Sequence, residues 1–94
     1  MPHVLIQHQV KRYSDFEAVF LNGAERRKRM GSKGGNVFRN AEDPGNLIIL
    51  LEWDDAARAK EFVDGFELQE AMEWASSGTA SRVTLLEHVL QVET

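Results

Sequence analysis

From Val4 to Val10 the chain alternates: Val4, Ile6, His8 and Val10 fall on one side, and Leu5, Gln7 and Gln9 on the other. That period of two predicts a strand. Ser14 followed by Glu17 has the spacing of a capping box, so a helix is expected to begin at Ser14. Phe16, Val19, Phe20, Ala24 and Met30 then recur at roughly helical spacing, with Gly31 placed to terminate the helix. The run Gly31-Ser32-Lys33-Gly34-Gly35 reads as a flexible connection, followed by a short strand from Asn36 to Asn40. Glu42-Asp43-Pro44-Gly45-Asn46 carries turn chemistry, and Leu47 to Trp53 is the strongest strand signal in the chain. The two strands therefore read as a hairpin.

Asp54 or Asp55 is expected to cap a second helix holding Ala56, Ala59, Phe62 and Val63, which Gly65 breaks or bends. A further helical piece has Leu68, Ala71, Met72 and Ala75 on one stripe and ends near Ser76-Ser77-Gly78. The last strand is expected from about Ser81 to Val92, rich in Val, Leu and Thr. The order β-α-β-β-α-β predicts an α+β, ferredoxin-like domain spanning residues 1–94, a four-stranded antiparallel sheet with helices on one face.

The alternation also bears on assembly. In the strand Leu47–Trp53, residues Leu47, Ile49, Leu51 and Trp53 point one way, and Ile48 and Leu50 the other. The last strand is apolar on both faces too, with Val83, Leu85 and Val89 opposite Leu86 and Leu90. Leaving Leu5, Ile48, Leu50 and two residues of the last strand in water would forfeit roughly 7–15 kcal/mol, at roughly 1.5–3 kcal/mol each. That is as large as the net stability of a typical domain. A second copy, packed sheet face to sheet face as a symmetric homodimer, is the expected remedy.

Composition narrows the function classes. The 94 residues include no cysteine, which excludes disulfides, thiolate metal ligands and a cysteine nucleophile. The longest aliphatic run, Leu47 to Leu51, falls far short of the roughly 20 residues a membrane span requires. The chain turns polar at Gln7, so no secretory leader is expected and the expected location is cytoplasmic. The net charge of −4 hides an asymmetry. Lys11 to Lys33 holds seven basic and three acidic residues, whereas the chain from Ala41 onward holds three basic and twelve acidic ones. Arg26-Arg27-Lys28-Arg29 is the densest basic run. A helix end explains it through the dipole, and the acidic whole without interleaved aromatics argues against nucleic acid.

The three histidines are the chemically versatile residues. His8 and His88 fall on the first and last strands, which are expected to be neighbours only if the usual strand order is modified. His8 is the first candidate base and His88 the reserve. Glu87 would point away from His88, so no metal site is expected. Trp74 lies about 100° from the neighbouring helical stripe, as suits a pocket wall or a subunit contact. Trp53 ends a buried strand face, and Phe20 and Phe62 suit helix core positions or a cavity wall. The Ser32–Gly35 stretch lacks phosphate-loop spacing, and Ser76, Ser77 and Ser81 have no triad signalled around them.

Tyr13-Ser14-Asp15-Phe16, Gly31-Ser32-Lys33-Gly34-Gly35-Asn36-Val37-Phe38-Arg39-Asn40 and Leu50-Leu51-Glu52-Trp53-Asp54-Asp55 are the most recognisable pieces of a wider likeness. From about His3 to Leu90 the chain resembles the antibiotic-biosynthesis-monooxygenase-like group of the dimeric α/β-barrel superfamily. The resemblance implies a homodimer whose sheets form a barrel, each subunit holding a pocket between sheet and helices. Some relatives oxidise polycyclic phenols with molecular oxygen and no cofactor. Another branch degrades haem with a histidine on the second helical region, which this chain lacks, since no histidine occurs from Gln9 to Glu87.

Two functions follow as expectations. One is a cofactor-free monooxygenase acting on a small aromatic or quinol-type substrate, with His8 as base and Phe20, Trp53 and Trp74 shaping the pocket. The other is a non-catalytic, dimeric small-molecule-binding or interaction module.

Overall fold

The structure is a computed structural model and describes residues 1–65 and 82–94. The helical piece expected around Leu68–Ala75, with Trp74, and the serines Ser76, Ser77 and Ser81 lie outside the described residues. The elements run β1 (His3–Gln9), α1 (Tyr13–Asn22), α2 (Ala24–Met30), β2 (Ser32–Asn40), β3 (Asp43–Trp53), α3 (Ala56–Asp64) and β4 (Arg82–Leu86). The strands form one antiparallel sheet in the order β2-β3-β1-β4, the ferredoxin-like arrangement. Since β1 pairs directly with β4, the expectation that first and last strands meet only in a modified order is corrected.

The register sorts the side chains by face. Val4 lies opposite Leu51, Ile6 opposite Ile49 and His8 opposite Leu47, and all six are buried. Phe16 of α1 and Ala59 and Phe62 of α3 close over them, and Trp53 stands on the same side. The core is therefore the space between this face and the helices. The opposite face carries Leu5, Ile48, Leu50 and Leu86, half-buried, and Phe38, which is 52% exposed. Among the described residues no helix covers that face, and no helix is long and apolar enough to cross a membrane.

Several local expectations are corrected. The helix begins at Tyr13 with Arg12 as its cap residue and no side-chain cap, leaving Ser14 inside the first turn. Glu17, which a capping box would need, instead lies near the Tyr13 phenol and raises its pKa. The single long helix divides at Gly23, whose nitrogen donates to the Phe20 carbonyl while its own carbonyl starts the next helix by accepting from Arg27. Glycine costs about 1 kcal/mol in a helix interior, so the break falls there. Gly31 ends α2 with φ of 118°, as expected of a left-handed terminator.

The stretch from Ser32 to Gly35 is strand rather than flexible loop. Lys33 occupies an irregularity between Ser32 and Gly34, where the Ser32 hydroxyl donates to the Glu52 carbonyl and accepts from the Gly34 nitrogen. Gly35 lies so close to β3 that a Cβ there would meet the Leu50 carbonyl oxygen. The hairpin turn is also earlier than expected. Asn40 Oδ1 accepts from the Glu42 nitrogen at 2.9 Å, and Asn40 pairs with Asp43. Pro44 thus sits within β3 at a register shift, a place in a sheet that tolerates a missing N–H. Asp55 caps α3 by accepting from the Ala57 nitrogen. β4 stops at Leu86, opposite His3, because β1 ends there and offers no further partner. Residues 87–94 continue without strand, with Val89 88% exposed.

The Gly35→Ala substitution is expected to destabilise the fold by about 2–3 kcal/mol in urea unfolding, because the new methyl opposes backbone that cannot yield. Lys33→Ala, at the solvated irregularity, should stay within about 0.5 kcal/mol of wild type. An unchanged midpoint for Gly35→Ala would contradict the close approach of β2 to β3.

Candidate functional site

His8 reaches the helix side of the sheet because it shares the parity of Val4 and Ile6, and it is 1% exposed. In the sheet it stands abreast of Leu47 on β3, and Leu47 in turn stands abreast of Arg39 on β2. At about 4.8 Å per strand, the backbones of His8 and Arg39 are about 10 Å apart in one row.

Helix α1 lies over this row and presents Tyr13, Phe16 and Phe20, whose spacings of three and four place them on one face. The Phe16 ring lies 6.2 Å from the His8 ring, 6.1 Å from Tyr13 and 5.3 Å from Phe20, stacked on the last at 18°. A guanidinium covers each end of this aromatic row. Arg27, from α2, lies over Phe20 at 3.9 Å from the ring centroid, and Arg39 over Tyr13 at 4.9 Å. Neither arginine forms an ion pair among the described residues.

Burial pushes the His8 pKa below the ordinary histidine value, since the charged imidazolium is the form a desolvated site disfavours. His8 is therefore neutral at neutral pH, the protonation state that can accept a proton. The Tyr13 phenol is shifted upward, chiefly by donating a hydrogen bond to the Glu17 carboxylate. Burial also lowers the Arg27 pKa, so this cation is partly desolvated.

The residues singled out in the sequence do not converge. His8 and Phe20 belong to one cluster, bridged by Phe16. Trp53 is fully buried but lies six residues along β3 from Leu47, about 20 Å away along the strand. It packs on Phe62 at 4.9 Å, as a core residue, and its buried Nε1–H has no acceptor among the described residues. His88 lies beyond the end of β4 beside His3, with ring centroids 6.3 Å apart. His3 is on the sheet face opposite His8 and five residues away, so His88 does not reach the His8 cluster. Trp74 lies outside the described residues.

Tyr13, Phe16, Arg27 and Arg39 were not singled out in the sequence as site residues. The aromatic spacing along α1 was a usable signal. The positions of the two arginines were not, because they depend on the helix break at Gly23 and on the register of β2.

The neutral, buried His8 has a thermodynamic consequence. Below pH 6.5 the unfolded chain takes up a proton on this imidazole that the native state refuses. Its contribution is therefore fully present above pH 6.5 and is lost as pH falls through that value toward the lowered native pKa. Relative to a His8→Leu variant, wild type should lose stability between pH 7 and 5, with a slope of at most about 1.4 kcal/mol per pH unit. Parallel stability curves for the two proteins would contradict a buried neutral imidazole.

The amino-acid sequence matches no protein-family profile and no curated protein. Solved structures do match. A cofactor-independent oxygenase from Streptomyces nogalater, SnoaB, superposes with a TM-score of 0.77 at 14% identity, over 99% of this chain and 97% of that one. A putative antibiotic biosynthesis monooxygenase from Bordetella bronchiseptica gives 0.75 at 20% identity, over 95% of this chain and 97% of that one. Another from Caulobacter crescentus gives 0.71 at 21% identity, over 95% of this chain and 90% of that one. These likenesses bear out the fold that the sequence resemblance implied.

Proposed function

We propose that this chain is a cofactor-independent monooxygenase that oxidises a small aromatic or quinol-type substrate between α1 and the sheet. The observation that carries the reading is a fully buried, neutral imidazole, His8, lying against the aromatic row of α1. Proton abstraction needs an unprotonated base held away from water, and aromatic side chains favour a flat, apolar substrate. The structural likeness to an oxygenase described as cofactor-independent supports the same class by analogy of fold. In this scheme His8 takes a proton from the substrate, and the resulting electron-rich anion gives electrons to molecular oxygen. One oxygen atom stays on the substrate as a carbonyl. The other leaves as water with the two hydrogens that the substrate loses.

The working unit proposed is a homodimer of a single domain, 1–94, closed through the helix-free sheet faces. Support comes from the apolar residues on that face, where Leu5 stands directly opposite Leu50 near the middle. A second reading, a non-catalytic dimeric module that binds small molecules, is favoured by the isolation of His8 from His3 and His88.

Oxygen uptake with a panel of phenols and quinols, without added cofactor, is expected for wild type and should fall by about 100-fold or more in His8→Ala. Unchanged turnover in that variant removes His8 from the chemistry, and ligand binding without uptake favours the second reading. In sedimentation at micromolar concentration wild type should run as a dimer and Leu50→Arg as a monomer, through burial of an unpaired charge. A monomeric wild type would remove the homodimer from the scheme.

A further inference from the structure

Among the described residues β2 pairs only with β3, so its outer edge carries unpaired N–H and C=O groups. Residues 87–94 run past the end of β1 and are exposed throughout, Val89 by 88%, Leu90 by 74% and Val92 by 68%. Their composition, with two valines, a leucine and a threonine, suits a strand. Their charges match the edge of β2. Lys33 and Arg39 stand six residues apart in β2, and Glu87 and Glu93 stand six residues apart in the segment. One antiparallel register therefore sets Arg39 against Glu87 and Lys33 against Glu93 together. In that register Val37, half-buried against the core, lies beside Val89, and Phe38, 52% exposed, lies beside His88. The same charges oppose the alternatives. Two β2 edges fully overlapped in antiparallel would set Lys33 against Arg39, and two such segments would set Glu87 against Glu93. Like charges directly opposite destabilise a strand pair.

The segment does not reach β2 of its own subunit. It leaves β4 at Leu86, in the row Leu86–His3–Glu52–Gly34, so β2 lies three strands away, about 14 Å at about 4.8 Å per strand. Paired residues in a sheet are only about 5 Å apart, and Glu87 adjoins Leu86. We propose that residues 87–94 are an exchanged arm: in the homodimer, the arm of each subunit adds antiparallel to the outer edge of β2 in the other, with Glu87 on Arg39 and Glu93 on Lys33. This rests on the homodimer proposed as the working unit and gives it a second contact surface. Arg39 also lies over Tyr13, so the arm brings a carboxylate of the second copy to the border of the His8 cluster.

The chain has no cysteine, so paired replacements report the register without background. Val37→Cys/Val89→Cys should form a covalent dimer under mild oxidation, as should an equimolar mixture of the two single variants, whereas neither single variant alone should. Glu87→Lys/Glu93→Lys should raise the dimer dissociation constant about tenfold in sedimentation equilibrium, and adding Lys33→Glu/Arg39→Glu should restore it. Cross-linking of Val37→Cys/Gln91→Cys instead, as a parallel arm requires, overturns the proposal, and so does a dimer indifferent to the charge reversal. A wild-type dimer without cross-linking between positions 37 and 89 sinks the arm and leaves the sheet-face homodimer standing. A Leu50→Arg protein that stays dimeric and still cross-links does the reverse. A monomeric wild type removes both.

Discussion

β3 has neighbours on both edges and apolar side chains on both faces, and that double demand governs the molecule. Its hydrogen bonds are met by β1 and β2. One of its faces, Leu47, Ile49, Leu51 and Trp53, is sealed by the helices, with the row from Val4 to His8 on β1 completing the core floor. The close packing of β2 depends on glycine at position 35, where any side chain would strike the β3 backbone. The glycine-rich run is thus part of the sheet's fit and not a spacer.

The candidate site arises where this sheet meets α1. His8 occupies a core position by parity, yet among the described residues it is the one titratable side chain buried on that face. Burial keeps it neutral, and Phe16 holds the aromatic row against it. The break at Gly23 turns the chain so that Arg27 comes back over Phe20. A single uninterrupted helix would carry position 27 away along the axis, at 1.5 Å per residue. A small irregularity in the backbone therefore places a cation over Phe20, two phenyl rings away from the imidazole.

Much of the fold could be read directly from local pattern. Alternation located β1 and the core of β3, and the Asp54-Asp55 pair and Gly31 marked helix ends where they occur. The errors have a common cause. Ser14 looked like a cap until Glu17 proved to serve Tyr13, and Pro44-Gly45 looked like a turn until a register shift absorbed it into β3. In each case a residue with two competing local uses was decided by a partner outside the pattern that suggested it, the neighbouring Tyr13 in the first and the pairing with β2 in the second.

The sequence by itself determined which residues face the core, that four strands and helices alternate as they do, and that the sheet is apolar on both sides. These properties depend on the periods of two and 3.6, which are local. Only the tertiary structure decided that His8 and Phe20 share a cluster, that Trp53 and His88 do not join it, and that Arg27 and Arg39 lie over aromatic rings. Register and strand order set those distances, and they come from long-range pairing: a shift of one residue reverses every side chain while leaving the local pattern unchanged.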